Sequence, residues 1–214
     1  MPGADRLSSL LVEAGARARA TRRPVLVSVV EQVAAVDPLD GLEAAFRAAT
    51  GDGDSAARIV SPRMYWSRPA DRFTLAGLGS AVTLAPEGAD RFATVDREWN
   101  TLIADVMIED DSRGIAGAGP ALMGGFAFDP EGPRTEPWRE FPAAHLFVPR
   151  MQLALTEDTC WLTTTLLVGV DGRSDVEPGV LDRVREWILA GDTGARGSSI
   201  TKSDEETLAH TDVR

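Results

Sequence analysis

The chain has 214 residues, 43% hydrophobic and 26% charged, with 33 acids against 22 bases and a formal net charge of -11. This mixture excludes a wholly disordered chain, a collagen-like chain and a coiled coil. The acidic balance also disfavours nucleic acid as a partner, because a nonspecific nucleic-acid binder carries a basic patch. At this length roughly 70% of the unfolded surface can be buried on folding, enough for a substantial core.

Cys160 is the only cysteine and Lys202 the only lysine. One cysteine excludes an internal disulfide and fits a reducing compartment. Asp5 and Glu13 sit in or beside the N-terminal apolar stretch, which therefore lacks a signal-peptide core. No apolar run approaches the ~18 residues of a membrane span. The expected location is cytoplasmic, with no membrane partner.

Residues 5–20 read as an amphipathic helix with Leu7, Leu10, Leu11, Ala14 and Ala18 on one face. Arg17, Arg19, Arg22 and Arg23 then read as solvated cations at its C-terminal end, where the helix dipole favours them. After Pro24, valine-rich residues 25–36 predict a strand with a polar break at Glu31–Gln32. Residues 37–54 predict a helix capped by Asp37 or Asp40, with Leu39, Leu42, Ala45 and Phe46 inward.

Strands are expected over Arg58–Trp66, Phe73–Leu78 and Ser80–Leu84, with a turn at Pro69. A long helix is expected from Ala89 to Ile108, its stripe formed by Phe92, Val95, Trp99, Leu102, Ile103 and Val106. Residues 109–120 read as a loop. Leu122–Phe128, Leu146–Thr156 and Cys160–Val170 predict three more strands. Val176–Ala190 predicts a helix with Val180, Val184, Trp187 and Ile188 inward. The organisation is thus an N-terminal helix (1–23), a domain (24–190) and a polar linker or tail (191–214). Strands in runs with short turns favour an α+β fold, a largely antiparallel sheet with packed helices.

The residues themselves assemble no catalytic constellation. Two histidines, His145 and His210, and one cysteine do not make a zinc site. Cys160, beside Trp161 in a strand, reads as a buried inert thiol. The glycine run at 77–82 lacks the third glycine of a dinucleotide fingerprint and lies between strands, and the run at 117–122 leads into a strand rather than a helix. Neither is expected to cradle phosphate. Glu109, Asp110 and Asp111 read as a solvated acidic run, and Asp129 as the cap of a turn with Pro130.

Five segments carry a resemblance: LVSVVEQVAAVDPLDGL (26–42), RMYWSRPADRFTLAGLGSAVTL (63–84), ALMGGFAFDP (121–130), WREFPAAHLFVPRMQLAL (138–155) and TCWLTT (159–164). In order and spacing they resemble the N-terminal half of isochorismate synthases, members of the chorismate-utilising enzymes, from about Val25 to Ile188. Relatives that make anthranilate carry a Leu-Leu-Glu-Ser motif near the N-terminus. Residues 8–13 here do not match it, and SVVEQVAAVDPL looks more like the isochorismate branch. Other chorismate-utilising enzymes, of the salicylate or anthranilate/aminodeoxychorismate type, stay open as alternatives.

The resemblance implies a share in an α/β sandwich and the conversion of chorismate to isochorismate for menaquinone or siderophore synthesis. It further implies a C-terminal chorismate-binding region that supplies a lysine base, a glutamic acid and glutamates holding Mg2+. No residue of this chain matches those positions, so no catalytic, cofactor-binding or metal residue is carried over. Lys202 lies in the polar linker, and the lysine-bearing strand would follow where the chain stops at Arg214. Two expectations result. One is the N-terminal portion of an isochorismate synthase, a fragment inactive without a C-terminal half that a separate chain could supply, with no Mg2+ bound by this chain alone. The other is a stand-alone noncatalytic binding or regulatory module.

Overall fold

In the computed structural model, residues 2–51, 59–129, 136, 141–157 and 159–193 are described. Helix α1 (Pro2–Thr21) leads into strand β1 (Val25–Val33) and helix α2 (Pro38–Gly51). Strands β2 (Arg63–Arg68), β3 (Phe73–Leu78) and β4 (Val82–Leu84) follow, then helix α3 (Arg91–Ala104) and strand β5 (Met107–Asp110). Strands β6 (Met123–Phe126), β7 (Ala144–Val148), β8 (Met151–Thr156) and β9 (Thr159–Val168) precede helix α4 (Pro178–Leu189).

The strands form a six-stranded sheet in the order β2-β3-β8-β9-β1-β5 and a three-stranded sheet in the order β4-β7-β6. The architecture is α+β, and every pairing is antiparallel except β1 with β5. That exception corrects the long helix expected to reach Ile108. The helix stops at Ala104, and Met107–Asp110 instead run beside Val27–Val30. Ladder bonds to a buried strand outweigh the helical periodicity at the end of the stripe. Glu109 and Asp110 accordingly belong to β5 rather than to a loop.

One face of the large sheet packs on α1, α2 and α4. Leu7, Leu10, Ala14 and Ala18 of α1 meet Val25, Val27 and Val29 of β1 and Leu162 and Leu166 of β9 there, together with Leu42 and Ala45 of α2 and Leu181, Val184 and Ile188 of α4. A second cluster joins α3 to the small sheet, with Val95, Leu84, Ala144 and Leu146 buried and Trp99 packed against them.

The two sheets have no strand in common but are joined by continuous chain. β3 continues into β4 and β7 into β8, so one two-stranded ribbon passes from sheet to sheet through a bend. The expected single strand Leu146–Thr156 is therefore two. The bend keeps its backbone bonds: Ala81 N donates to Val148 O at 2.8 Å and Arg150 N to Leu78 O at 3.0 Å. Gly79 makes the turn possible. Its φ is +65°, and a Cβ there would lie 1.9 Å from the carbonyl oxygen of Ile59. Arg150, buried at the bend, is held by Asp175 through paired guanidinium–carboxylate bonds.

Several local expectations are corrected. The strand β1 runs unbroken through Glu31 and Gln32, because the Glu31 carboxylate accepts from Arg185 at 2.7 Å instead of requiring solvent. The strand expected from Arg58 starts at Arg63; Ile59 and Val60 are not part of it, and residue 58 lies outside the described residues. Leu39 and Phe92, expected inward, are 43% and 54% exposed. Asp37 does cap α2, accepting from Leu39 N at 2.8 Å.

Candidate functional site

Alternation along each strand gives the large sheet two unlike faces. The face opposite the helices carries Ser28 and Val30 of β1, Trp161, Thr163 and Thr165 of β9, and Gln152 and Ala154 of β8. Ser28, Thr163, Thr165 and Gln152 are each 1% exposed or less. Ser28 Oγ and Thr165 Oγ1 share a hydrogen bond of 2.8 Å between facing residues of β1 and β9.

The connection from β5 to β6 lies across this polar floor. Gln152 Nε2 donates to the carbonyls of Gly117 at 2.8 Å and Gly119 at 3.0 Å, and Gly119 N donates to Thr163 Oγ1 at 3.0 Å. Ile115 and Ala118 pack on Val30, Ala154 and Trp161. At Gly117, φ +80°, a Cβ would come within 2.8 Å of the Phe73 and Leu75 side chains, so only glycine lets the backbone approach this closely. Among the described residues, two buried polar atoms on the floor, Gln152 Oε1 and Trp161 Nε1, have no hydrogen-bond partner. An unpaired buried polar group costs about 1–3 kcal/mol. Ser and Thr hydroxyls, an amide and an indole do not ionise near neutral pH, so these side chains can position a chain or ligand but are poor acids and bases.

The residues singled out by sequence do not converge. Cys160 is buried, its thiol pushed up from its ordinary pKa by desolvation, which matches an inert core residue. His145 is exposed on β7. Glu109 and Asp111 are not merely solvated: both carboxylates accept from Arg6 of α1, at 2.5 and 2.6 Å. That bond holds the Asp111 carboxyl below the usual carboxylate range. The run at 77–82 makes the bend between the sheets, and the run at 117–122 ends the connection over the floor. Arg17 pairs with Asp105 at 2.8 Å. Lys202, His210 and the turn partner Pro130 lie outside the described residues. Among the described residues no group of three or more His, Cys, Asp or Glu side chains converges as a metal site.

Sequence reasoning passed over Ser28, Gln152, Thr163 and Thr165. Ser28 and Gln152 are single polar residues between apolar neighbours in VLVSVV and MQLALT, and Thr163 and Thr165 lie in an unbroken Thr-Thr-Thr run, so no alternation marked their shared face.

The chain belongs to the chorismate binding enzyme family, whose model matches residues 12–205. It is 36% identical over 132 residues to the salicylate biosynthesis isochorismate synthase of Pseudomonas aeruginosa, a stretch covering 62% of this chain and 24% of that protein. It is 28% identical over 165 residues to the isochorismate synthase MenF of Bacillus subtilis, covering 75% of this chain and 32% of that protein. The solved structure of MenF, the menaquinone-specific isochorismate synthase from Escherichia coli, aligns at 16% identity with a TM-score of 0.41, covering 84% of this chain and 33% of that one. The chain thus spans about a quarter to a third of the length of the curated relatives it matches.

Proposed function

We infer that this chain is the N-terminal portion of an isochorismate synthase and acts as the scaffold on which a C-terminal chorismate-binding region completes the site. The observation that carries this is the pair of relatives, both isochorismate synthases, each matched along most of this chain but along 32% or less of its own length. The sheets support it. Among the described strands, β2, β5, β4 and β6 each have one edge without a neighbour, and such edges are ready to accept further strands.

In this reading chorismate is the substrate and isochorismate the product. Mg2+, the lysine base and the glutamic acid come from the C-terminal region, and the polar floor under residues 115–120 contributes order rather than proton transfer. The cytoplasm is the proposed compartment; no described helix is long and apolar enough to cross a membrane.

The test is turnover. The purified 214-residue chain, given chorismate and Mg2+, is expected to form no isochorismate. Joined to, or co-expressed with, the C-terminal region of an isochorismate synthase, it should restore formation. Turnover by the chain alone would overturn the dependence on a second region. An inactive joined protein that folds would overturn the scaffold role.

A further inference from the structure

Phe92, expected inward from the helical stripe, is 54% exposed and does not stand alone. Its ring lies against Phe126 of β6, with centroids 4.3 Å apart. Phe126 is itself 37% exposed, and Phe128, two residues further along, is fully exposed. Apolar rings thus gather where the start of α3 meets the end of β6. The same place carries a free sheet edge, because β6 has no neighbour on one side among the described strands. Ala127 N donates inward to Ala143 O at 2.8 Å. By strand alternation, the N–H and C=O of Phe126 turn outward to that edge.

Arg91 lies beneath these rings. It is 6% exposed, and its guanidinium carbon sits 4.5 Å from the centre of the Phe92 ring. Nη1 donates to Gly88 O at 3.3 Å and Nη2 to Ala127 O at 3.1 Å. The buried Nε has no partner among the described residues, and no carboxylate there pairs with this guanidinium. A buried charge is ordinarily paired, and one left without a counter-ion is costly. Arg150, the other arginine described as buried, is held by the carboxylate of Asp175. An open strand edge takes a backbone, aromatic rings take apolar side chains, and an unpaired arginine takes a carboxylate.

We propose that the β6 edge and the Phe92–Phe126 patch are the docking surface for an extended, carboxylate-bearing segment of the C-terminal region. The segment's backbone pairs with β6 and its apolar side chains cover Phe92, Phe126 and Phe128. Its carboxylate meets Arg91 once the half-exposed Phe92 ring turns aside. This docking rests on the scaffold reading above and names the face on which the scaffold is completed. Two observations select the occupant. The chain spans 32% or less of the length of the two curated relatives, so most of such a protein lies beyond the matched stretch. A second copy of this chain fits less well, because its β6, Met123–Phe126, would bring no carboxylate to Arg91.

The experiment joins the full chain, through a cleavable linker, to the C-terminal region of the Pseudomonas aeruginosa relative; the Bacillus subtilis one replaces it should that protein not fold. Hydroxyl-radical footprinting should oxidise Phe92, Phe126 and Phe128 in the 214-residue chain alone and protect them in the joined protein. After linker cleavage the two parts should still elute together from a sizing column. Arg91→Gln should weaken that association about tenfold or more, as loss of a central anchor does. Phe128→Asp, at a fully exposed position, should do the same and serves as the check should Arg91→Gln fail to fold. Leu39→Asp, on α2 across the large sheet, should leave the association unchanged. The proposal is overturned by unprotected phenylalanines in a folded joined protein, by undiminished association in Phe128→Asp, by an equal loss in Leu39→Asp, or by protection that arises from dimers of the 214-residue chain alone. Turnover by a joined protein whose phenylalanines stay exposed would sink this docking and leave the proposed function standing. Protection without turnover would do the reverse.

Discussion

Ser28 and Thr165 show what a buried hydroxyl pair does in a sheet made mostly of valine and leucine. Both are 0% exposed, and each satisfies the other at 2.8 Å. Removing one partner strands the other in a dry environment, whereas removing both with shape retained does not. Ser28→Ala should lower stability by about 1–3 kcal/mol, and Ser28→Ala with Thr165→Val should recover a large part of that loss. Urea unfolding of the two single variants and the double variant measures the coupling; additive losses would mean the pair is not mutually dependent. Cys160 makes a second residue-scale point. Its thiol is 1% exposed and titrates above its ordinary value because burial disfavours the thiolate. Reaction with a disulfide reagent at pH 8 should be slow in the folded chain and fast in urea. Rapid reaction in the folded chain would contradict an inert core thiol.

Among the elements, α1 has the most specific electrostatic seating. Its apolar stripe was legible as a 3.6-residue period, and Leu7, Ala14 and Ala18 are buried as that period requires. The partners of its arginines were not legible, because Arg6 and Asp111 are 105 positions apart. Arg6 spans Glu109 and Asp111 where β5 ends, and Arg17 reaches Asp105 between α3 and β5. The Arg6 hydrogen bond lowers the Asp111 carboxyl below its ordinary 3.8 in the folded chain. A depressed folded value means that the stabilisation is present above the unfolded value and is lost as pH falls through the folded one. Asp111→Asn should therefore be less stable than the parent at pH 7, and the gap should narrow as pH falls below 3.8 and through the lower folded value. Thermal melts of both proteins from pH 7 to 2 follow that gap, and a constant difference would exclude the clamp as its source. The acidic run at 109–111 looked solvated in sequence because its partner cation lies on another element.

At the scale of the whole molecule, the bent ribbon makes one structure of two sheets. β3–β4 and β7–β8 keep their ladder on both sides of the bend, so the cluster around Val95 and Leu146 is tied through continuous backbone to the main core. Trp99 reports the small-sheet cluster, and Trp161 lies on the polar face of the large sheet. Variants that keep only one or the other tryptophan should give the same unfolding midpoint in denaturant, as a single cooperative unit requires. An earlier midpoint for Trp99 would mark the small sheet as a separate unit.

Amino-acid order by itself determined the helices, the extended runs, the largely antiparallel α+β class and the membership of a chorismate binding family. These rest on local periodicity, on proline and glycine punctuation and on short motifs, all of which act between near neighbours. Tertiary structure decided the rest. It drew Met107–Asp110 away from a helix into a parallel pairing with β1, and it folded Leu146–Thr156 at Arg150 into two strands of two sheets. It kept Glu31 inside a strand by bringing Arg185 to it from 154 positions away. It also left Leu39 exposed beside β2. In each case the deciding free energy comes from a partner distant in sequence: a ladder bond, an ion pair or a packed face. No window of neighbouring residues contains that partner.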